Sequence, residues 1–92
     1  MSFFGRNIKK IRGVKGLSQK AFAEVFDLKR ATLGAYEEGR SEPKIETIIK
    51  IANYFSITID SLLTADLTVN ELLQFKEELI LEPAQKIKQH IA

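Results

Sequence analysis

Residues 17–39, LSQKAFAEVFDLKRATLGAYEEG, hold two short helical stretches with a corner between them. Ser18 stands where a serine oxygen accepts from the orphan N–H groups of a first helical turn, and the helix it caps runs through Val25 with Ala21, Phe22 and Val25 turned inward. Asp27 and Leu28 make a tight connection into the second stretch, Lys29 to Gly39. On a wheel of 3.6 residues per turn, its Thr32, Leu33 and Tyr36 fall together as a core-facing stripe, and Arg30, Ala31, Gly34, Ala35 and Glu38 fall opposite. A solvent face ordinarily carries long charged side chains at every step. This one carries two alanines and a glycine, although glycine inside a helix costs about 1 kcal/mol against alanine. A nearly bare helical face with its cations at the N-terminal end is either a run of small surface residues, a seat for another protein helix, or a surface shaped to lie close against something else.

Working outward, the rest of the chain is helix after helix. Ser2 caps a first helix whose stripe Phe4, Ile8, Ile11 runs to about Val14, and Gly16 follows as a left-handed stop. GRSEPK, residues 39–44, is a loop, with Gly39 ending one helix and Pro43 preceding the next. Ile45, Ile48, Ile49, Ala52 and Phe55 give a fourth helix its stripe, and Thr58 caps a short fifth helix carrying Ile59, Leu62 and Leu63. β-branched residues are frequent but nowhere alternate with period two over a strand's length. The fold class is therefore all-α. Beyond Leu63, Thr68 and Glu71 form a T-x-x-E capping box opening a helix through about Leu81, whose apolar positions Val69, Leu72, Leu73, Phe75, Leu79, Ile80 and Leu81 exceed what one stripe needs. Pro83 interrupts, and a last segment carries Ala84, Ile87 and Ile91.

Composition narrows the function. A chain of 92 residues makes one small domain with a modest core. It has no cysteine, which excludes disulfides and thiolate metal sites and sits easily with a reducing cytosol. No apolar run approaches a membrane span of about eighteen residues, and the amphipathic start MSFFGRNIKKIR lacks the apolar core of a signal sequence. A cytoplasmic domain with no membrane partner is expected. His90 is the only histidine, no Gly-rich phosphate loop is present, and the carboxylate pairs Glu37–Glu38 and Glu77–Glu78 are neighbours that diverge on a helix. No enzymatic activity, metal or cofactor is expected from such a set. Residues 1–63 carry eleven Lys/Arg against seven Asp/Glu, and residues 64–92 carry three against five. A basic front and a mildly acidic tail put a polyanionic partner, if the chain has one, on its first two-thirds; a balance this modest is also met in domains that bind no nucleic acid.

A capped helix, a connection of about three residues and a second short helix form the helix-turn-helix pattern. The residues around it make the pattern specific. From about Ile8 to Leu63 the chain resembles the XRE family, the Cro and phage-repressor type of DNA-binding domain: LSQ at Leu17–Gln19, Ala23 inside the second helix, YEEG closing the third, Pro43, IIKIA in the fourth helix and ITIDSLL in the fifth. The resemblance implies a five-helix, lambda-repressor-like bundle with an extra C-terminal helical segment. It implies a transcriptional regulator, most simply a repressor, whose third helix enters the major groove of double-stranded DNA while the second crosses the backbone above it.

Carried over residue by residue, the family pattern places Lys29, Arg30, Ala31, Gly34 and Ala35 against bases. It places Ser18, Gln19, Thr32, Arg40 and Lys44 near phosphates. Arg30 alone has a fork of donors for guanine O6 and N7, while Ala31 and Ala35 offer methyl contact. Arg12 and Glu37 match a partly buried ion pair of the family. The sequence also departs from the pattern: Asp27 stands at the turn where glycine is usual, Lys29 replaces the usual Ser or Thr cap, and Glu38 and Glu42 bring negative charge toward the phosphate path. Residues 1–65 then make the DNA-binding domain and residues 66–92 a C-terminal extension. Leu72, Leu73, Phe75, Leu79 and Ile80 of that extension are the candidates for joining a second subunit, since symmetric dimers match palindromic half-sites. The alternative is a protein-interaction module of the same fold, such as an antitoxin with a protein partner.

Overall fold

The computed structural model describes residues 2–73, and their regular structure is entirely α-helical: α1 (Phe4–Lys15), α2 (Gln19–Val25), α3 (Arg30–Glu37), α4 (Ile45–Phe55) and α5 (Ile59–Thr64), with a further helix opening at Val69. One device ends the first four. After α1, the N–H of left-handed Gly16 donates to Gly13 O and that of Leu17 to Arg12 O. After α2, Asp27 donates to Glu24 O and Leu28 to Ala23 O; after α3, Gly39 donates to Tyr36 O and Arg40 to Ala35 O; after α4, Ser56 donates to Asn53 O and Ile57 to Ala52 O. Each is a Schellman stop: one residue at positive φ, then a residue whose N–H reaches five positions back. Leu17, Leu28 and Ile57, the second residues of three such stops, then pack on the core. Asp27 and Ser56 adopt φ of 55° without being glycine.

Starts are less uniform. Ser18 Oγ accepts from Ala21 N at 3.0 Å and Thr58 Oγ1 from Ser61 N at 3.0 Å, so both serve as caps. Lys29 leaves α3 without a side-chain cap. Phe3 stands at the N-cap position of α1 and its side chain caps nothing; Ser2, one residue earlier, accepts at Oγ from Phe4 N at 3.2 Å while its backbone N–H and hydroxyl donate to the Glu42 carboxylate. Phe3 N–H in turn donates to Leu63 O at 2.8 Å, fixing the entry to α1 against the end of α5.

Inside the bundle α1 packs on α3 and α5, α2 on α3, and α4 on α5. Phe4, Ile8, Ile11, Phe22, Leu33, Ile51, Phe55 and Leu62 lie at its centre. Phe22 stacks on Phe55 at 5.9 Å, Phe26 packs against both, and Tyr54 meets Phe26 edge-on at 5.2 Å. Such aromatic pairs contribute about 0.5–1.5 kcal/mol each beyond area burial. Gly5 lets α1 approach α3: a Cβ there would lie 1.9 Å from the Tyr36 carbonyl oxygen.

Three inward faces differ from the sequence expectation. On α2 the buried side is Phe22, Ala23 and Phe26, and Val25 is exposed. On α4 it is Ile48, Ile51, Ala52 and Phe55, while Ile45 at 56% and Ile49 at 41% exposure face solvent; on α5, Ile59 is exposed beside buried Leu62. The cause on α4 is an excess of isoleucines. Positions 45, 49, 52 and 55 and positions 48, 51, 52 and 55 both satisfy helical spacing, and the common core of the bundle takes the second set.

The chain after α5 belongs to the same core. Asn7, fully buried, donates through Nδ2 to Leu62 O and Ala65 O at 2.8 Å each and accepts at Oδ1 from Leu67 N at 3.1 Å. Lys10 Nζ reaches Asp66 at 2.9 Å and Leu67 O at 2.7 Å, and Arg6 reaches Asp66 at 3.3 Å. The Lys10 hydrogen bond, helped by the charges of Arg6 and Lys10 against slight desolvation, holds the Asp66 carboxyl below its usual pKa. Leu67 and Leu72 are buried with the helical core, so a cut after Ala65 would strip two of its side chains. Leu72, assigned from sequence to a subunit contact, is only 3% exposed because its own bundle covers it; Leu73 beside it is exposed. Thr68 and Glu71 form the capping box, with Thr68 N donating to Glu71 Oε1 and Glu71 N to Thr68 Oγ1, both at 3.2 Å. Phe75, Leu79 and Ile80, and the rest of the expected helix to Leu81, lie outside the described residues.

Candidate nucleic-acid interface

The α2–α3 corner is fixed from beneath by one carboxylate. Glu37, in the last turn of α3, accepts from Arg12 Nε at 2.8 Å and Arg12 Nη2 at 3.0 Å, and also from Gln19 Nε2 at 3.1 Å. Arg12 lies on α1 and Gln19 opens α2, so the group ties three helices together. Arg12 Nη1 also donates to Leu17 O at 3.1 Å, which anchors the chain just before α2. The side chains are 2% exposed for Glu37 and 19% for Arg12. Hydrogen bonding to Glu37 raises the Arg12 pKa above the ordinary arginine value, against the partial burial that opposes it.

Above this bridge lies a shallow depression lined by Gln19, Arg30, Ala31, Gly34, Glu38 and Arg40. Gly34 is one of its lining residues. A Cβ built there would meet only Glu38 Oε2 at 3.7 Å and Gln19 Nε2 at 3.9 Å, ordinary van der Waals distances. Unlike Gly5, therefore, Gly34 is not demanded by any neighbour in its own fold. A second open depression, lined by Arg12, Ser18, Gln19, Lys20 and Arg30, adjoins it through Gln19 and Arg30. Together they form one concave strip with four cations on its walls.

The structure thus brings Ser18, Gln19, Arg30, Ala31, Gly34 and Arg40 to one surface. Lys29 precedes α3 as an exposed residue, Thr32 and Ala35 are half-buried along α3, and Lys44 is exposed ahead of α4; none of these four lines the strip. Two lining cations, Arg12 and Lys20, stand outside the DNA-contact set drawn from the sequence. Lys20 was legible as an exposed cation next to Gln19. Arg12 was legible only as a structural partner, because its reach past α1 depends on where Glu37 sits. Arg40 is bonded through Nη2 to Glu38 Oε2 at 2.7 Å, so the acidic residue noted in the sequence faces the same strip.

Residues 8–62 match the family model described as Helix-turn-helix. Over 80 residues the chain is 36% identical to the SPbeta prophage-derived uncharacterized HTH-type transcriptional regulator YonR of Bacillus subtilis (strain 168), an alignment covering 84% of this chain and 74% of that one. It is 30% identical over 78 residues to the cryptic phage CTXphi transcriptional repressor RstR of Vibrio cholerae, covering 84% and 70%. The crystal structure of a transcriptional regulator from Listeria innocua superposes with a TM-score of 0.65 at 28% identity, covering 99% of this chain and 91% of that chain.

Proposed function

The chain belongs to the XRE-type helix-turn-helix family of DNA-binding transcriptional regulators, and we propose that it acts in the cytoplasm by seating α3 in the major groove, as a homodimer on a palindromic operator, to repress transcription. The family is one of DNA-binding regulators rather than of enzymes. The observation that carries the proposal is the lining of the strip: Gly34 and Ala31 leave α3 bare there, although a Cβ at Gly34 would clash with nothing in its own fold. A helix entering a groove about 12 Å wide gains from such thinness. Arg30 in the same lining reads a guanine through O6 and N7. Lys29, Ala31 and Ala35 flank it along the bases, and Ser18, Gln19, Thr32, Arg40 and Lys44 meet phosphates that set register without reading sequence.

The dimer contact falls to the extension, 66–92. Leu67 and Leu72 anchor that extension to the bundle, leaving Leu73, Phe75, Leu79 and Ile80 for a second copy, while the DNA-reading helices stay within residues 1–65. The test combines sedimentation of the full chain with binding to duplexes from its own upstream region and to random duplex. A dimer at tens of micromolar and a clear preference for one palindromic duplex are expected. Arg30→Ala should then lose about 1–3 kcal/mol on that duplex and relax preference at one base per half-site. A monomer with no preference for any duplex would instead favour a protein-binding role.

A further inference from the structure

Glu38 is an odd resident of a surface meant for a polyanion. It is the one acidic side chain lining the α3 depression, and its Oε2 lies 3.7 Å from the point where a Gly34 Cβ would stand. Its charge is met by Arg40 at 2.7 Å, on side chains 62% and 64% exposed. Both backbones are fixed by the α3 stop, where Glu38 N donates to Gly34 O and Arg40 N to Ala35 O. The pair is preformed on a rigid frame, yet an ion pair so exposed is worth little and opens readily. While it is closed, it removes one cation from the strip and shields one anion.

Resting on the reading of α3 as the groove helix, we propose that Glu38 is a specificity-determining residue whose carboxylate passes from Arg40 to the N4 amino group of an operator cytosine, releasing Arg40 to a backbone phosphate. Carboxylates accept from cytosine N4 in the major groove, and no other base offers a strand-alone donor there without an adjacent acceptor. On DNA with guanine or thymine in place of that cytosine, release of Arg40 would leave Glu38 facing phosphates and base acceptors with no proton donor, and at adenine the N7 acceptor beside the N6 donor repels it. The pair then stays closed and one phosphate contact is lost. A single exchange of partners thus strengthens operator binding and weakens random binding at once.

The experiment measures binding of the parent, Glu38→Gln, Arg40→Ala and the double variant to the selected operator and to random duplex across salt concentrations. Thermal melts should be alike for all four, since both side chains are solvent-facing. Glu38→Gln should bind random DNA more tightly, with a salt slope steeper by about one phosphate contact. Its operator-to-random ratio should fall at least about fivefold, with preference for cytosine lost at one position per half-site. The double variant should lose the gain on random DNA. An unchanged ratio for Glu38→Gln in a parent that does discriminate overturns this assignment alone, as does a double variant that keeps the gain. A parent that binds no duplex overturns the groove reading and this assignment with it.

Discussion

Glu37 shows how much one side chain can organise. Its two oxygens take three donors from two other helices, and with so little exposure they have no water to fall back on. Removing Arg12 would leave Gln19 as the remaining donor to a buried carboxylate. Breaking a buried pair from one side costs about 3–5 kcal/mol, and the partial exposure of Arg12 places Arg12→Met near the lower end. A melting comparison with Lys50→Met, an exposed change on α4, should show a large loss for the first and almost none for the second; equal small losses would mean that the bridge contributes nothing. Arg12 and Glu37 were paired from the sequence only through a family pattern, because 25 residues separate them. Asn7 and Gly5 left no such trace. An asparagine in a first helix reads as surface, and its burial follows from carbonyls at 62 and 65 that only the folded chain brings to it. Gly5 looks like a helix weakness until Tyr36 O is placed against it.

At the scale of elements, the stops were more legible than the faces. Gly16 and Gly39 announce left-handed ends, and Asp27 could be read as their substitute. Ser56 could not, since serine carries no strong preference for that conformation and nothing nearby marks the end of α4. A non-glycine residue at φ of 55° gives up part of the roughly 1–2 kcal/mol that the left-handed region costs L-residues. Ser56→Gly should therefore raise stability by up to about 1 kcal/mol, the gain being trimmed by the greater freedom of glycine in the unfolded chain. Chemical denaturation should show a higher midpoint at unchanged slope. A lower midpoint would mean that the Ser56 side chain contributes more than its backbone strain removes. The faces of α2 and α4 were harder, because a wheel reports which residues could be inward together and α4 offers two such sets. The packing that chooses between them is tertiary information.

At the scale of the whole molecule, the five-helix order and the helix-turn-helix corner followed from caps, stops and spacing. The edge of the unit did not. The family resemblance ends at Leu63 and set a division between residues 65 and 66, whereas Asn7, Lys10 and Arg6 reach across it and Leu67 and Leu72 fill the core beyond it. Charge marks which surface meets a polyanion, and burial marks what folds together; in this chain the two divide at different residues. The account rests above all on α3 entering the groove with its bare side first. Gly34→Leu tests that most directly, because the same change acts in opposite directions on folding and on function. A Cβ at Gly34 meets only the ends of the Glu38 and Gln19 side chains, at van der Waals distance, and leucine is a better helix former than glycine by about 1 kcal/mol, so the melting temperature should hold or rise. DNA binding, measured by anisotropy on the preferred duplex, should fall to the level of random DNA. A variant that melts no lower than the parent and binds the duplex as tightly would contradict the account.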